Sequence, residues 1–150
     1  MRHRYRYSAL LSSAIAIVAI PLAASPAAAY EAASSCDITH PVTGPAVMYG
    51  EALGSWNWAS SNDLTGVHLE AQDDRTDGWH TAVRLVTQKR DGSNHYWSWH
   101  HNTKGSHTTD SWNTSASDSA GIIRAWVQGG LFDGSTRLSV CSGASKSNPD

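Results

Sequence analysis

Large apolar side chains are in short supply once the first 29 residues are set aside. Residues 30–150 hold seven Val, three Ile, six Leu and a single Phe. That is a thin stock for the core of a 121-residue domain. Much of the filling therefore falls to the seven Trp, which all lie in this part, each able to bury roughly 200 Å². A second long apolar run is missing, so nothing after the first 29 residues approaches the ~20 apolar residues that a spanning helix needs. Basic runs are missing as well. Between residues 30 and 150, eight Lys or Arg face thirteen Asp or Glu, a net charge of −5. Such a surface repels a phosphate backbone, and nucleic-acid binding is not expected. Also missing are the G-x-S-x-G elbow, the H-E-x-x-H metal helix and a phosphate-cradling glycine loop. Glu51 and Glu70 are the only Glu in segments that read as strands, and nothing pairs them for two-carboxylate glycoside chemistry. No catalytic residue and no cofactor is implied.

What is present begins with an address. The opening MRHRYRY carries Arg2, Arg4 and Arg6 without an acid, and ALLSSAIAIVAIPLAA and Ala27-Ala28-Ala29 follow. A positive segment, an apolar segment and a small-residue site in that order form an export signal, with cleavage expected after Ala29. Its apolar run is short for a membrane span and contains Pro21. Residues 30–150 are thus expected outside the cell, as a soluble monomer with no membrane attachment after cleavage. Cysteine is limited to Cys36 and Cys141, and in an oxidising compartment these should join as one disulfide tying the domain ends together. Sulfurs so occupied leave no cysteine nucleophile.

Along residues 30–150, apolar positions alternate rather than recur every 3.6 residues, and Gly, Ser, Thr, Asn and Asp interrupt them every few positions. After an extended lead-in, short strands are predicted at 47–52, 55–59, 67–73, 79–89, 94–101, 108–113, 122–128 and 136–141. An all-β antiparallel sandwich or barrel of about seven or eight strands follows. It forms one domain over residues 30–145, with 146–150 as a loose tail.

Asp-Gly recurs in the turns Thr76-Asp77-Gly78, Arg90-Asp91-Gly92 and Phe132-Asp133-Gly134. A two-residue turn at Asp91-Gly92 would set Arg84 opposite Trp99. A three-residue loop with Gly92 left-handed instead sets Leu85 opposite Trp97, Val83 opposite Trp99 and Arg84 opposite Ser98. The second register sorts apolar from polar and is preferred. The same loop at 76–78 sets Leu69 opposite Leu85 and Ala71 opposite Val83. Trp97 and Trp99 should then point inward, while Trp56, Trp58 and Trp112, with polar neighbours, are the candidates for exposure.

On the outer face of that three-stranded sheet, Glu70, Arg84 and His100 gather around the small Ala82, and Tyr96 supplies an aromatic edge. Such a shallow polar site suits a sugar, a peptide or an acidic ligand, with Arg84 as a forked donor. Trp58 offers a separate stacking platform. Adjacent His100 and His101 point to opposite faces of a strand, so no zinc site is expected. Turn chemistry accounts for Asp73, Asp74 and Asp77 without calcium.

Four stretches, DGWHTAVRLVTQKRDG, WSWHHN, SWNTSASDSAGI and AWVQGGLFDG with the later LSVC, cover about a third of the chain. They resemble the small secreted β-rich proteins common in actinobacteria. The resemblance implies export, an all-β fold and an end-tying disulfide, and brings no activity or functional residue. The expected function is non-catalytic binding of an extracellular polysaccharide or cell-wall glycan. The alternative is a secreted protein-interaction or enzyme-inhibitor domain that presents residues 57–64.

Overall fold

Alternation of polar and apolar residues carries the chain into two antiparallel sheets, and the computed structural model describes residues 30–41 and 44–149 of it. The predicted export signal lies outside the described residues. The strands are β1 (Tyr30–His40), β2 (Val47–Trp58), β3 (Asp63–Asp73), β4 (His80–Gln88) and β5 (Asn94–Tyr96). They continue with β6 (His100–His101), β7 (Thr108–Ser117), β8 (Arg124–Asp133), β9 (Thr136–Ser142) and β10 (Lys146–Ser147). The first sheet has the order β1-β2-β3-β7. In the second, β8 and β4 lie side by side, β9 and β10 line the free side of β8, and β5 and β6 line that of β4. The expected all-β sandwich is what forms. Among the described residues no helix is long and apolar enough to cross a membrane.

The hairpin register predicted at Arg90-Asp91-Gly92 holds as far as Trp97. Lys89 N–H donates to Ser93 O at 2.9 Å, Gly92 is left-handed with φ +84°, and Val86 pairs with Tyr96. Trp97 N–H then donates to Leu85 O at 3.1 Å. Beyond that point the register slips by one, since Val83 pairs with His100 and Ala82 with His101. Ser98 and Trp99 therefore share the place opposite Arg84, a β-bulge. Trp97 packs against the core, with its Nε1–H donating to Thr87 Oγ1 at 3.2 Å. Trp99, expected to point inward, is turned to the outer face.

The turn at Thr76-Asp77-Gly78 also forms, with Gly78 at φ +85° and Asp77 Oδ1 accepting from Trp79 N–H at 2.9 Å. It does not make a hairpin. It carries the chain from one sheet to the other, because β3 pairs with β2 and β7 while β4 pairs with β8. One apolar face satisfies either arrangement: Leu69 and Leu85, expected side by side, instead face each other from opposite sheets.

Small residues let the sheets meet closely on one side. A Cβ added at Gly54 would lie 2.5 Å from Val127 Cγ1, and one at Gly129 would lie 2.7 Å from both Ala52 Cβ and Ile38 Cγ1. Close approach of this kind is why glycines stand inside β2 and β8, and why those strands run on through positions that read as breaks. Beside Gly129, Cys36 of β1 and Cys141 of β9 are joined with their Cα atoms 5.9 Å apart, so one covalent bond links the two sheets.

Elsewhere tryptophan fills the interior. Trp56 and Trp58 are 1% and 4% exposed, and Trp79, Trp97 and Trp112 pack against the same core. The expectation of exposed Trp56 and Trp58 is thus reversed. Both lie on the face of β2 that carries Ala52 and Gly54, and alternation sends that face inward whatever the polarity of the residues between. Burial of Trp58 and Leu64 also shortens the presumed presenting segment to a turn at 59–62, held by Ser60 donating to Asp63 Oδ2 at 2.6 Å. The supposed loose tail is likewise ordered. Lys146 and Ser147 pair with Ala125 and Arg124, and Asn148 donates to Ile122 O at 3.0 Å.

Removing the disulfide by the double replacement Cys36→Ala and Cys141→Ala should lower stability by about 4 to 5 kcal/mol, given a sequence separation of 105. Urea unfolding monitored by tryptophan fluorescence checks this; an unchanged midpoint would refute it. In the same assay Gly129→Ala should cost about 1 to 3 kcal/mol through overpacking.

Candidate functional site

Sheet partition separates the residues expected to gather around Ala82. Glu70 lies on the outer face of the first sheet, and Arg84 and Tyr96 lie on the outer face of the second. His100, beside Val83, points toward the interior side of the bulged strand and meets Trp112 at a tilt of 33° with ring centroids 5.2 Å apart. Trp58 is buried in the core and offers no platform. Of the expected set, only Arg84 and Tyr96 come together.

What the bulge adds to that pair is Trp99. The Arg84 guanidinium carbon sits 4.5 Å from the Tyr96 ring centroid and 4.4 Å from that of Trp99. Each contact of this kind contributes roughly 0.5 to 2 kcal/mol, depending on desolvation. Arg84 Nε and Nη2 both donate to Gln128 Oε1, at 3.0 and 2.7 Å, and Gln128 Nε2 donates to Ser142 Oγ at 3.0 Å. One row across β4, β8 and β9 is thereby fixed, and among the described residues no hydrogen bond engages Nη1 of Arg84. Burial draws the Arg84 pKa below its ordinary value, and the nearby Arg137 adds to this. Among the described residues no carboxylate pairs with it.

The surrounding face is aromatic. Tyr96, Val86 and Trp126 form one row, with Tyr96 50% exposed and Val86 wholly covered between the two rings. Trp99 lies over Gly130, where a Cβ would stand 3.1 Å from its ring, and meets Phe132 edge-on at 5.3 Å. Phe132 in turn carries His80 and His101, whose Nε2 and Nδ1 are 2.9 Å apart. Sequence reading missed Trp99, Trp126 and Gln128, because the first depended on an unseen bulge and the others on the β4–β8 pairing.

The described residues also frame a groove and a cleft elsewhere. A groove of about 490 Å³ on the outer face of the first sheet is lined by Ala33, Leu53, Ser55, His68, Glu70 and Lys146. There His68 Nε2 lies 2.8 Å from Glu70 Oε1 and its Nδ1 lies 2.7 Å from Asn113 Oδ1. These hydrogen bonds, to Asn113 first and then Glu70, raise the His68 pKa. A cleft of about 210 Å³ between the sheets has Leu69, Leu85, Trp97 and His100 on its walls. Among the described residues no three His, Cys, Asp or Glu converge as metal ligands.

Burial holds the pKa of both His100 and His101 below the ordinary imidazole value, and His80 and His100 add to the shift at His101. Below about pH 6.5 the unfolded chain then takes up protons that the folded one refuses, so stability falls as pH falls. His68 works in the opposite sense, contributing stability below the ordinary value that is lost as pH rises through its raised folded value. Between about pH 7.5 and pH 5.5, His101→Phe should lose less stability than the unsubstituted protein, and His68→Gln should lose more. Urea midpoints at the two pH values test both; equal losses in all three proteins would refute the assignment.

Comparison with protein-family models, with curated proteins and with solved structures gave no match. The chain's own residues therefore carry the functional reading.

Proposed function

We propose that the protein is a non-catalytic binding module that acts outside the cytoplasm and holds an extracellular glycan on the outer face of its second sheet. The observation that carries this reading is the Tyr96–Arg84–Trp99 stack, with Gln128 locking the guanidinium in place. Sugar rings present apolar C–H faces bordered by hydroxyls. Flat aromatic side chains meet the faces, and fixed donors and acceptors meet the hydroxyls. Aromatic and polar groups alternate here on rigid strands, so little order has to be gained on binding. Two features support an oxidising workplace: the disulfide, which persists outside reducing compartments, and the export signal read in the first 29 residues.

Affinity electrophoresis through gels containing cellulose derivatives, chitin derivatives, solubilised peptidoglycan or polygalacturonate tests the reading. Retardation is expected in at least one gel. Tyr96→Ala should weaken it by about tenfold, the scale of one lost aromatic contact, and Trp126→Ala should act in the same direction. Migration unaltered by every polymer would overturn the glycan reading and favour a protein partner.

A further inference from the structure

Strand registers sort the charged residues of the two outer faces by sign. The rows of the first sheet's outer face hold Glu31, Asp37, Glu51 and Glu70, and its four strands contain no Lys or Arg. The rows of the second sheet's outer face hold Arg84, Arg124 and Arg137 and no Asp or Glu. A net charge of −5 over residues 30–150 therefore conceals one cationic face.

Distance decides which charges a ligand on that face would feel. Packed sheets stand about 10 Å apart, and outward side chains add to the separation. The screening length at physiological salt is about 8 Å. Carboxylates on the far face are thus largely screened, while the three arginines lie on the near one. Arg84 adds a specific motive. It is half withdrawn from water between two rings, its Nε and Nη2 are satisfied by a neutral amide, and among the described residues no counter-ion accompanies it. A partly desolvated cation without an anion is costly, and an anionic oxygen at Nη1 would form a charge-assisted hydrogen bond there. Arg137, close enough to depress the Arg84 pKa, is exposed and can serve the next anionic group along a chain.

From these placements we infer that the ligand of this face is an acidic polysaccharide, one bearing carboxylates along its chain. The inference rests on the glycan reading above and adds the sign of the ligand's charge. Three arginines on one face, one of them held between aromatic rings, suit a polymer of spaced carboxylates. The net charge of −5 over residues 30–150 disfavours a nucleic acid, and single-stranded DNA serves as the control for general anion binding.

Polygalacturonate and its fully methyl-esterified form share a backbone and differ in charge, so they separate the two levels of the argument. The purified protein should be retarded by the acid and not by the ester, and retardation should decline as salt is raised. Arg84→Gln should weaken binding to the acid by about tenfold or more, as expected for a lost charge-assisted hydrogen bond. Arg137→Gln, at an exposed position that folding does not need, should weaken it less, and Glu51→Gln on the far face should leave it unaltered. Tryptophan fluorescence and urea midpoints confirm that each variant is folded. Equal binding of acid and ester would leave the glycan reading standing and overturn the acidic specificity. Binding of neither, with none in the wider polymer set, would remove the glycan reading itself. Acid binding indifferent to both arginine replacements, or single-stranded DNA bound as tightly as the acid, would overturn the assignment.

Discussion

Close contact between two sheets at Gly54 and Gly129 is the constraint on which the rest of the fold turns. With seventeen large aliphatic or Phe side chains in residues 30–150, a uniformly spaced sandwich would be underfilled. Here the sheets come together where glycines and alanines face Val127, Ile38 and Ala52. Indole rings at Trp56, Trp58, Trp79, Trp97 and Trp112 supply the bulk of the same core. Close packing tolerates neither voids nor overlap, so small residues on one side and large ones on the other are two parts of one solution. The disulfide sits on the tight side, where Cys36 and Cys141 are near enough to bond without disturbing either sheet.

Alternation, turn chemistry and the cysteine pair made the fold class legible in the sequence. The hairpin at Arg90-Asp91-Gly92 was legible down to individual hydrogen bonds, because its loop length and its apolar sorting agree. Pairing between strands distant in sequence was not legible. Leu69 and Leu85 satisfy the same pattern whether their strands lie side by side or face each other, so β3 and β4 could not be assigned to different sheets from periodicity alone. Glycines inside β2 and β8 read as interruptions because their reason, a neighbouring sheet at contact distance, lies outside the strand.

The candidate site suffered more from the same blindness. Glu70 and Arg84 share an outward parity, which a single sheet would have turned into proximity; two sheets put them on opposite sides of the molecule. Arg84 and Tyr96 survive as neighbours because a local hairpin joins them. A single extra residue at Ser98–Trp99 then brought in the indole that completes the stack. Bulges re-aim side chains, and nothing in the local composition of WSW announces one. Charge was equally hidden, since a net count over residues 30–150 says nothing about how strand parity distributes its sign.

The covalent bond between Cys36 and Cys141 also governs how the domain bears mechanical load. Cys36 lies in the first described strand, and Cys141 is the second-last residue of β9, just ahead of the short β10. A pull applied to residues before Cys36 and after Cys141 runs through the sulfur–sulfur bond, and the chain between them, a sequence separation of 105, lies off the line of force. Tension can peel the early residues of β1 from β2, and β10 from β8, yet it cannot draw out β3, β4 or β7. The face carrying Arg84, Tyr96 and Trp99 would keep its shape while the ends of the domain are stretched.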